Sequence, residues 1–159
     1  MKTYNFKNLF IDVDGVMTKV FFAYSRFGKS VKFFSADDSG AVKLLSQYID
    51  INFVTADFRG FPITRKRIVK DMGQKLSLIP ANDRLEWISS FGDLNNSIYI
   101  GDSFEDIEIM KHIGYGISVS DSSQLLKNYS NFTTTSKGGE RAVSEACFHI
   151  LYKFFNFKI

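Results

Sequence analysis

Two aspartates stand two residues apart where an apolar segment of the chain ends. Residues 10–16 read FIDVDGV, so Asp12 and Asp14 share one side of any strand that contains them. Two carboxylates about 4 Å apart repel by roughly 1 to 4 kcal/mol, depending on solvent screening, and such a pair calls for a cation. Mg²⁺ suits it because Mg²⁺ prefers carboxylate, carbonyl and water oxygens. A solvated turn with Gly15 at positive φ explains the same letters equally well, so this motif alone leaves both interpretations open.

Three further polar side chains follow later apolar segments. Thr55 offers a hydroxyl and a backbone N–H to a phosphate oxygen, Arg84 can neutralise charge on a phosphoryl group, and Asp102 adds a carboxylate. Taken singly, each of them also has a purely structural explanation. Thr55 can be a turn residue, Arg84 a solvated helix arginine, and Asp102 the cap of a helix that has Asp106 one turn further on. Together they favour one site, because open α/β sheets bind ligands at the carboxyl ends of their strands.

The elements that must position these residues alternate between short apolar runs and helical patterns. This alternation predicts an α/β fold, a Rossmann-like parallel sheet with helices on both faces and right-handed crossovers. The predicted strands are Leu9–Val13, Ile51–Val54, Leu76–Ile79, Ser97–Ile100 and Gly116–Val119. The predicted helices are Gly40–Tyr48, Phe61–Met72, Asn82–Phe91, Phe104–Ile113 and Gly139–Phe155.

One segment, at about residues 16–34, interrupts the alternation directly after the first strand. Val20–Tyr24 and Ser30–Phe34 are rich in β-forming residues and flank a loop that contains Gly28, which predicts a β-hairpin. Its first arm is apolar on both faces, and an isolated hairpin does not tolerate that in water. We therefore expect this hairpin insertion to pack against other subunits.

Composition narrows the class of protein. The chain has 159 residues with 45% hydrophobic content, which predicts a single domain over residues 1–159. Seventeen Phe and seven Tyr again favour oligomerisation. The net charge of +3 is spread without a basic run, so we expect no nucleic-acid partner, and no segment has membrane-spanning length. The single cysteine, Cys147, excludes an internal disulfide framework and suits a cytoplasmic location.

The full set of motifs resembles the haloacid dehalogenase superfamily of phosphotransferases. The pattern is a strand with Asp-x-Asp-Gly, a strand with Thr, a basic residue, and a strand with Gly-Asp-x-x-x-Asp, and it covers essentially the whole chain. The resemblance implies that Asp12 is the nucleophile that forms an aspartyl-phosphate and that Asp14 is the general acid and base. It also implies Mg²⁺ held by Asp12, the Asp14 main-chain carbonyl and Asp102, with Thr55 and Arg84 on the phosphoryl oxygens.

Within that superfamily the chain resembles the small branch without a cap domain, which contains 3-deoxy-D-manno-octulosonate 8-phosphate phosphatases and the phosphatase-like part of acylneuraminate cytidylyltransferases. The hairpin after the first motif and the stretch Gly138–Val143 carry this resemblance. It implies a homotetramer joined through the hairpins, in which the Gly138–Val143 segment reaches a neighbour's active site. It also implies a phosphatase acting on a sugar-acid phosphate.

The chain departs from the branch pattern at three places. Arg84 stands where relatives have Lys, and Lys66 and Lys75 remain alternatives for that role. Relatives often have Gly and a basic residue immediately after the Thr, whereas here Ala56 follows Thr55 and the next basic residue is Arg59. Glu140 shifts the C-terminal arginine, Arg141, by one place. The predicted substrate-binding residues are Thr55, Ala56, Arg59, Arg84 and Arg141.

Two other kinds of protein fit parts of the pattern. A response-regulator receiver domain needs an acidic residue after the third strand, where this chain has Ile79 and Pro80. A non-catalytic oligomerisation module is the remaining alternative, but a scaffold has no need of so many clustered charges.

Overall fold

The computed structural model describes residues 5–158, whose centre is a six-stranded parallel sheet. The strands are β1 (Asn8–Asp12), β2 (Thr18–Ser25), β3 (Gly28–Phe34), β4 (Asp50–Thr55), β5 (Lys75–Leu78), β6 (Ser97–Gly101), β7 (Tyr115–Ser118) and β8 (Phe132–Thr133). The order in the large sheet is β5-β4-β1-β6-β7-β8, and each neighbouring pair is parallel. β1 therefore lies at the centre, between β4 and β6.

Helices cover both faces of this sheet. They are α1 (Asp37–Leu45), α2 (Phe61–Arg65), α3 (Arg84–Ser89), α4 (Ile107–His112), α5 (Gln124–Lys127) and α6 (Ala142–Phe154). Along β1, Leu9 and Ile11 join the core beneath α1 and α6, whereas Phe10 joins the core beneath α3 and α4. This alternation follows from the two-residue period of a strand. The predicted α/β architecture is confirmed.

The boundaries differ from the predicted ones where the backbone changes its winding. The predicted helix over Phe61–Met72 is α2 followed by a wider π-helical segment, Lys66–Asp71. The predicted helix from Gly139 begins only at Ala142, because Gly139 and Arg141 adopt left-handed φ angles of 69° and 75°. α5 and the two-residue β8 were not predicted from the sequence pattern.

The predicted hairpin is present as an antiparallel pair of β2 and β3, separate from the large sheet. It lies between β1 and α1, and the described residues form no cap domain beyond it. Phe21 is 76% exposed and Phe27 is 86% exposed, so the hairpin presents an aromatic surface to solvent. Across residues 5–158, the helices are too short or too polar to span a bilayer.

Candidate active site

Asp12 ends the central strand and begins a tight turn, Val13–Met17. Its Oδ1 accepts a hydrogen bond from the Val13 N–H at 2.8 Å, which fixes the carboxylate at the edge of the sheet. Gly15 in this turn has a φ of 89°, a conformation that L side chains rarely adopt. The Asp12 side chain is almost fully buried, yet it lines a cavity.

Asp102 and Asp106 approach Asp12 from the end of β6. One carboxylate oxygen from each of these three aspartates lies within 4.8 Å of the others. Asp106 organises the loop, because its Oδ2 accepts hydrogen bonds from the backbone N–H groups of Asp102 at 3.1 Å and Ser103 at 3.2 Å. Asp106 thus fixes the position of Asp102, and Asp102 itself faces the cavity.

Arg84 provides the positive charge beside this cluster. Its Nη1 lies 3.2 Å from Asp12 Oδ2 and 3.0 Å from Asp106 Oδ1, and it donates to the Tyr99 hydroxyl at 2.8 Å. Tyr99 in turn donates to Asp106 Oδ1 at 2.6 Å. The side chain of Arg84 is buried but lines the cavity, so it can reach an anion bound there.

The electrostatics of this cluster favour a bound cation. Burial raises the pKa of Asp12 well above its usual value, against the influence of Arg84. Burial and the neighbouring carboxylates Asp106, Asp121 and Asp14 raise the pKa of Asp102 to about 7. One arginine therefore does not compensate the buried negative charge.

The geometry also fits a metal ion. Within the described part of the chain, no donor hydrogen-bonds the carboxylate oxygens of Asp102. A Cβ on Gly15 would lie 2.1 Å from Asp102 Oδ2, so glycine is what allows this carboxylate to approach the turn. Asp12, Asp102 and the main-chain carbonyl of Asp14 could therefore hold Mg²⁺, which prefers such oxygens.

Asp14 lies on the cavity side of the turn and is held by two side chains. Thr55 Oγ1 donates to Asp14 Oδ2 at 2.6 Å, and Lys32 Nζ donates to Asp14 Oδ1 at 2.6 Å. Thr55 also accepts the Asp57 N–H at 3.0 Å and is fully buried. The hydroxyl that was expected to face a phosphate therefore supports Asp14 in this structure.

The side chains of Asp12, Asp14, Arg84 and Asp102 line a cavity of about 280 Å³, and residues of the hairpin form part of its wall. Ala56 also lines it, together with Ser103 and Glu105 from the loop after β6, whereas the buried Thr55 does not. The hairpin contributes Thr18, Lys19, Val20, Phe21 and Phe22 from β2 and Lys29 and Lys32 from β3. This site without a cap domain thus gains a wall of both apolar side chains and lysines from its own chain.

Two predicted substrate-binding arginines do not reach this cavity. Arg59 is exposed and contacts the Tyr24 hydroxyl at 3.4 Å. The side chain of Arg141 is 73% exposed and pairs with Asp37 at 2.6 Å. The alternatives to Arg84 also lie elsewhere: Lys66 pairs with Asp71, and Lys75 with Asp50.

The glycine segment before α6 packs on its own chain. The Gly139 N–H donates to the Val16 carbonyl at 3.0 Å, and a Cβ on Gly138 would lie 1.8 Å from the Gly15 carbonyl oxygen. These two glycines support the turn that follows Asp12. The reach of this segment to a neighbouring subunit stays a prediction.

Sequence reasoning assigned no role to three members of the site, namely Asp106, Tyr99 and Lys32. The spacing Asp102-x-x-x-Asp106 was visible, but only the structure shows that Asp106 ties the loop to Arg84 and Tyr99. Lys32 gave no signal, because a lysine in a hairpin strand normally faces solvent.

Comparison with known proteins agrees with this geometry. The family model of haloacid dehalogenase-like hydrolases matches residues 43–146. The 3-deoxy-D-manno-octulosonate 8-phosphate phosphatase KdsC of Haemophilus influenzae is 30% identical over 152 residues, which cover 91% of this chain and 82% of that relative. The KdsC of Escherichia coli K12 is 27% identical over 158 residues, which cover 92% and 79%.

Solved structures give the same result. The 3-deoxy-D-manno-octulosonate 8-phosphate phosphatase of Moraxella catarrhalis, in complex with magnesium, phosphate and KDO, superposes with a TM-score of 0.82 at 26% identity, covering 98% of this chain and 91% of that one. The cobalt-bound phosphatase of Haemophilus influenzae gives a TM-score of 0.83 at 27% identity, with coverages of 98% and 92%. With the motifs, the fold and the family match in agreement, the chain belongs to the haloacid dehalogenase-like hydrolases.

Proposed function

We propose that this protein is a Mg²⁺-dependent phosphomonoesterase that hydrolyses a sugar-acid phosphate of the 3-deoxy-D-manno-octulosonate 8-phosphate or acylneuraminate 9-phosphate type. The observation that carries the proposal is the convergence of Asp12, Asp14, Asp102 and Arg84 on one cavity. The activity named for the relatives supports the substrate class.

Asp12 is the proposed nucleophile. Its carboxylate oxygen forms a bond to phosphorus while the bond between phosphorus and the sugar oxygen breaks, and Asp14 donates its proton to the leaving oxygen. A water molecule then attacks the aspartyl-phosphate, Asp14 takes a proton from it, and inorganic phosphate leaves with Asp12 restored. Arg84 lies close enough to Asp12 to offset charge on the phosphoryl oxygens in both steps.

The metal would be held by the side chains of Asp12 and Asp102 and by the Asp14 carbonyl. When bound, Mg²⁺ supplies the positive charge that the carboxylate cluster lacks and offsets charge on the phosphoryl group. Asp106 keeps the Asp102 loop in place through two backbone N–H groups. Thr55 orients Asp14 through its hydroxyl, and Ala56 borders the substrate.

We propose further that the hairpins join subunits into a homotetramer. The support is the aromatic surface of β2 and β3, where Phe21, Phe27 and Phe33 are exposed on one projecting element. A second copy of the same surface is the partner whose chemistry matches it, since like apolar faces exclude water from one another.

The test is a phosphate-release screen over sugar-acid and simple sugar phosphates, with Mg²⁺ or with EDTA. Asp12→Asn should lower release by roughly 10⁴-fold, because the amide is a much weaker nucleophile than the carboxylate. Asp71→Asn is the matched control, since Asp71 is a surface residue paired with Lys66.

Two outcomes would contradict the proposal. Undiminished phosphate release by Asp12→Asn would overturn the mechanism. Failure of the wild-type protein on every phosphate, at high enzyme concentration, would favour a non-catalytic oligomerisation module instead.

A further inference from the structure

Lys32 is a buried cation at the base of the hairpin. Its side chain is only 2% exposed, and burying an ammonium is costly unless oxygens replace its water. Nζ has three such oxygens: Asp14 Oδ1 at 2.6 Å, Asp57 Oδ2 at 2.8 Å and Thr64 Oγ1 at 2.9 Å. The contacts with Asp14 and Thr64 are hydrogen bonds, and the contact with Asp57 is an ion pair.

The surrounding chain makes room for this lysine. A Cβ on Gly60 would lie 2.6 Å from Lys32 Cε and 2.1 Å from Asp57 Oδ2, so a larger residue would displace both. Burial alone would raise the pKa of Asp57, but its interactions with Lys29 and Lys32 outweigh burial and lower it to about 2. Asp57 therefore stays ionised and anchors both lysines of the hairpin.

These contacts connect the hairpin to the turn after Asp12. Lys32 lies on β3 opposite Phe22 of β2, and Lys29 Nζ lies 4.1 Å from the centre of the Phe22 ring. Lys29 reaches Asp57 at 2.7 Å, whereas only Lys32 also reaches Asp14. Lys32 also donates to Thr64 Oγ1, which Lys29 does not, while both lysines pair with Asp57 and line the cavity.

We propose that Lys32 is a positioning residue of the phosphatase reaction: it fixes the Asp14 carboxylate beside the leaving oxygen and ties that carboxylate to the hairpin. The inference rests on the proposed function, because it assigns Lys32 to the proton-transfer group of that reaction. Lys32 acts through Asp14 and needs no contact with the substrate. Thr55 holds the second carboxylate oxygen, so the two residues together orient the group.

The experiment compares two leaving groups. A sugar alkoxide needs a proton as it leaves, whereas the nitrophenolate of p-nitrophenyl phosphate leaves without one. The kcat/KM value reports the steps up to the first irreversible one, here formation of the aspartyl-phosphate and loss of the leaving group. We would measure kcat/KM on both substrates for the wild type, Lys32→Met, Lys32→Arg and Asp14→Asn, with Lys29→Met as the matched hairpin control.

Lys32→Met should lose roughly 100-fold on the sugar phosphate and less than about fivefold on p-nitrophenyl phosphate, the same pattern as Asp14→Asn. Lys32→Arg should recover part of the loss, and Lys29→Met should keep the wild-type ratio between the substrates. The ratio does not depend on the fraction of folded enzyme, so a destabilised variant still gives an answer.

Equal losses of Lys32→Met on both substrates would overturn the positioning role and leave the proposed function intact. Unchanged activity of Lys32→Met on both substrates would overturn it as well. Inactivity of the wild type on every phosphate would overturn the proposed function, and this inference with it.

Discussion

At the scale of single residues, Gly15 governs how closely Asp102 approaches the turn after Asp12. Gly15 combines a φ of 89° with a Cβ position that the Asp102 carboxylate already occupies. Any side chain there is strained by the backbone and displaces a proposed metal ligand. Substitution at Gly15 should therefore weaken the proposed metal binding without removing a charged group.

We expect Gly15→Ala to lower kcat/KM by about 100-fold, because a displacement of about 1 Å in a reacting group has a cost of this size. The Mg²⁺ concentration that gives half-maximal activity should rise in parallel. The measurement is a Mg²⁺ titration of phosphate release.

Gly40→Ala is the control for this substitution. Gly40 lies in α1 with open space around its Cβ position, so alanine there should leave activity unchanged and raise stability slightly. Unaltered Mg²⁺ dependence in Gly15→Ala would refute the assignment of Asp102 to the metal.

The residues also differ in how far the sequence reveals them. Asp12, Asp14 and Asp102 end apolar strands, and strand ends converge at one edge of a parallel sheet, so their clustering follows from the pattern. Lys32 lies on a hairpin whose orientation depends on contacts with Asp57 and Thr64, residues far away in sequence. No local periodicity encodes such a contact.

At the scale of elements, α1 and α6 meet through a buried carboxylate. Asp38 Oδ1 accepts the Ser144 N–H at 2.8 Å, and Oδ2 is buried without a hydrogen-bond partner among the described residues. Burial raises the pKa of Asp38 to about 6, although the Ser144 N–H favours the ionised form. Between about pH 4 and 6 Asp38 thus binds more protons in the native state than in the unfolded chain. Its contribution to the free energy of unfolding therefore falls as the pH rises.

We expect Asp38→Asn to remove this penalty. At pH 7.5 the variant should unfold with a free energy about 1 to 2 kcal/mol higher than the wild type, less than the roughly 3 kcal/mol that a shift of two pKa units implies. Below about pH 3 the two proteins should have similar stability, since Asp38 is then mostly protonated in both states.

Urea unfolding of both proteins across this pH range checks the prediction. Because other carboxylates titrate in the same range, the informative quantity is the difference between the two proteins. A difference that does not change with pH would contradict the role given to Asp38.

Element prediction from the sequence worked where the hydrophobic pattern was strong. The five strands predicted from short apolar runs are present in the large sheet, because such runs mark buried parallel strands. β8 has only two residues, Phe132 and Thr133, and is defined by hydrogen bonding to β7, so its own composition could not reveal it. α6 begins later than predicted because Arg141 has a left-handed backbone. Arginine rarely adopts this conformation, so the sequence does not predict it.

At the scale of the whole molecule, the hairpin carries the surface that a second copy would cover. The double variant Phe27→Ser/Phe33→Ser should convert the proposed tetramer into a single chain in solution, because both rings are exposed on β-hairpin positions outside the cavity. Light scattering after size-exclusion chromatography measures this directly.

Leu125→Ser is the matched control, since Leu125 is 61% exposed on α5, away from the hairpin. It should leave the mass unchanged. A wild-type protein that is already a single chain would refute assembly through the hairpin.

The contact of Gly138 and Gly139 with the turn after Asp12 has a consequence for how the protein matures. The two segments lie near opposite ends of the chain, and long-range contacts of this kind form late in folding. Catalytic competence should therefore arise only after the segment that contains Gly138 and Gly139 has docked against this turn.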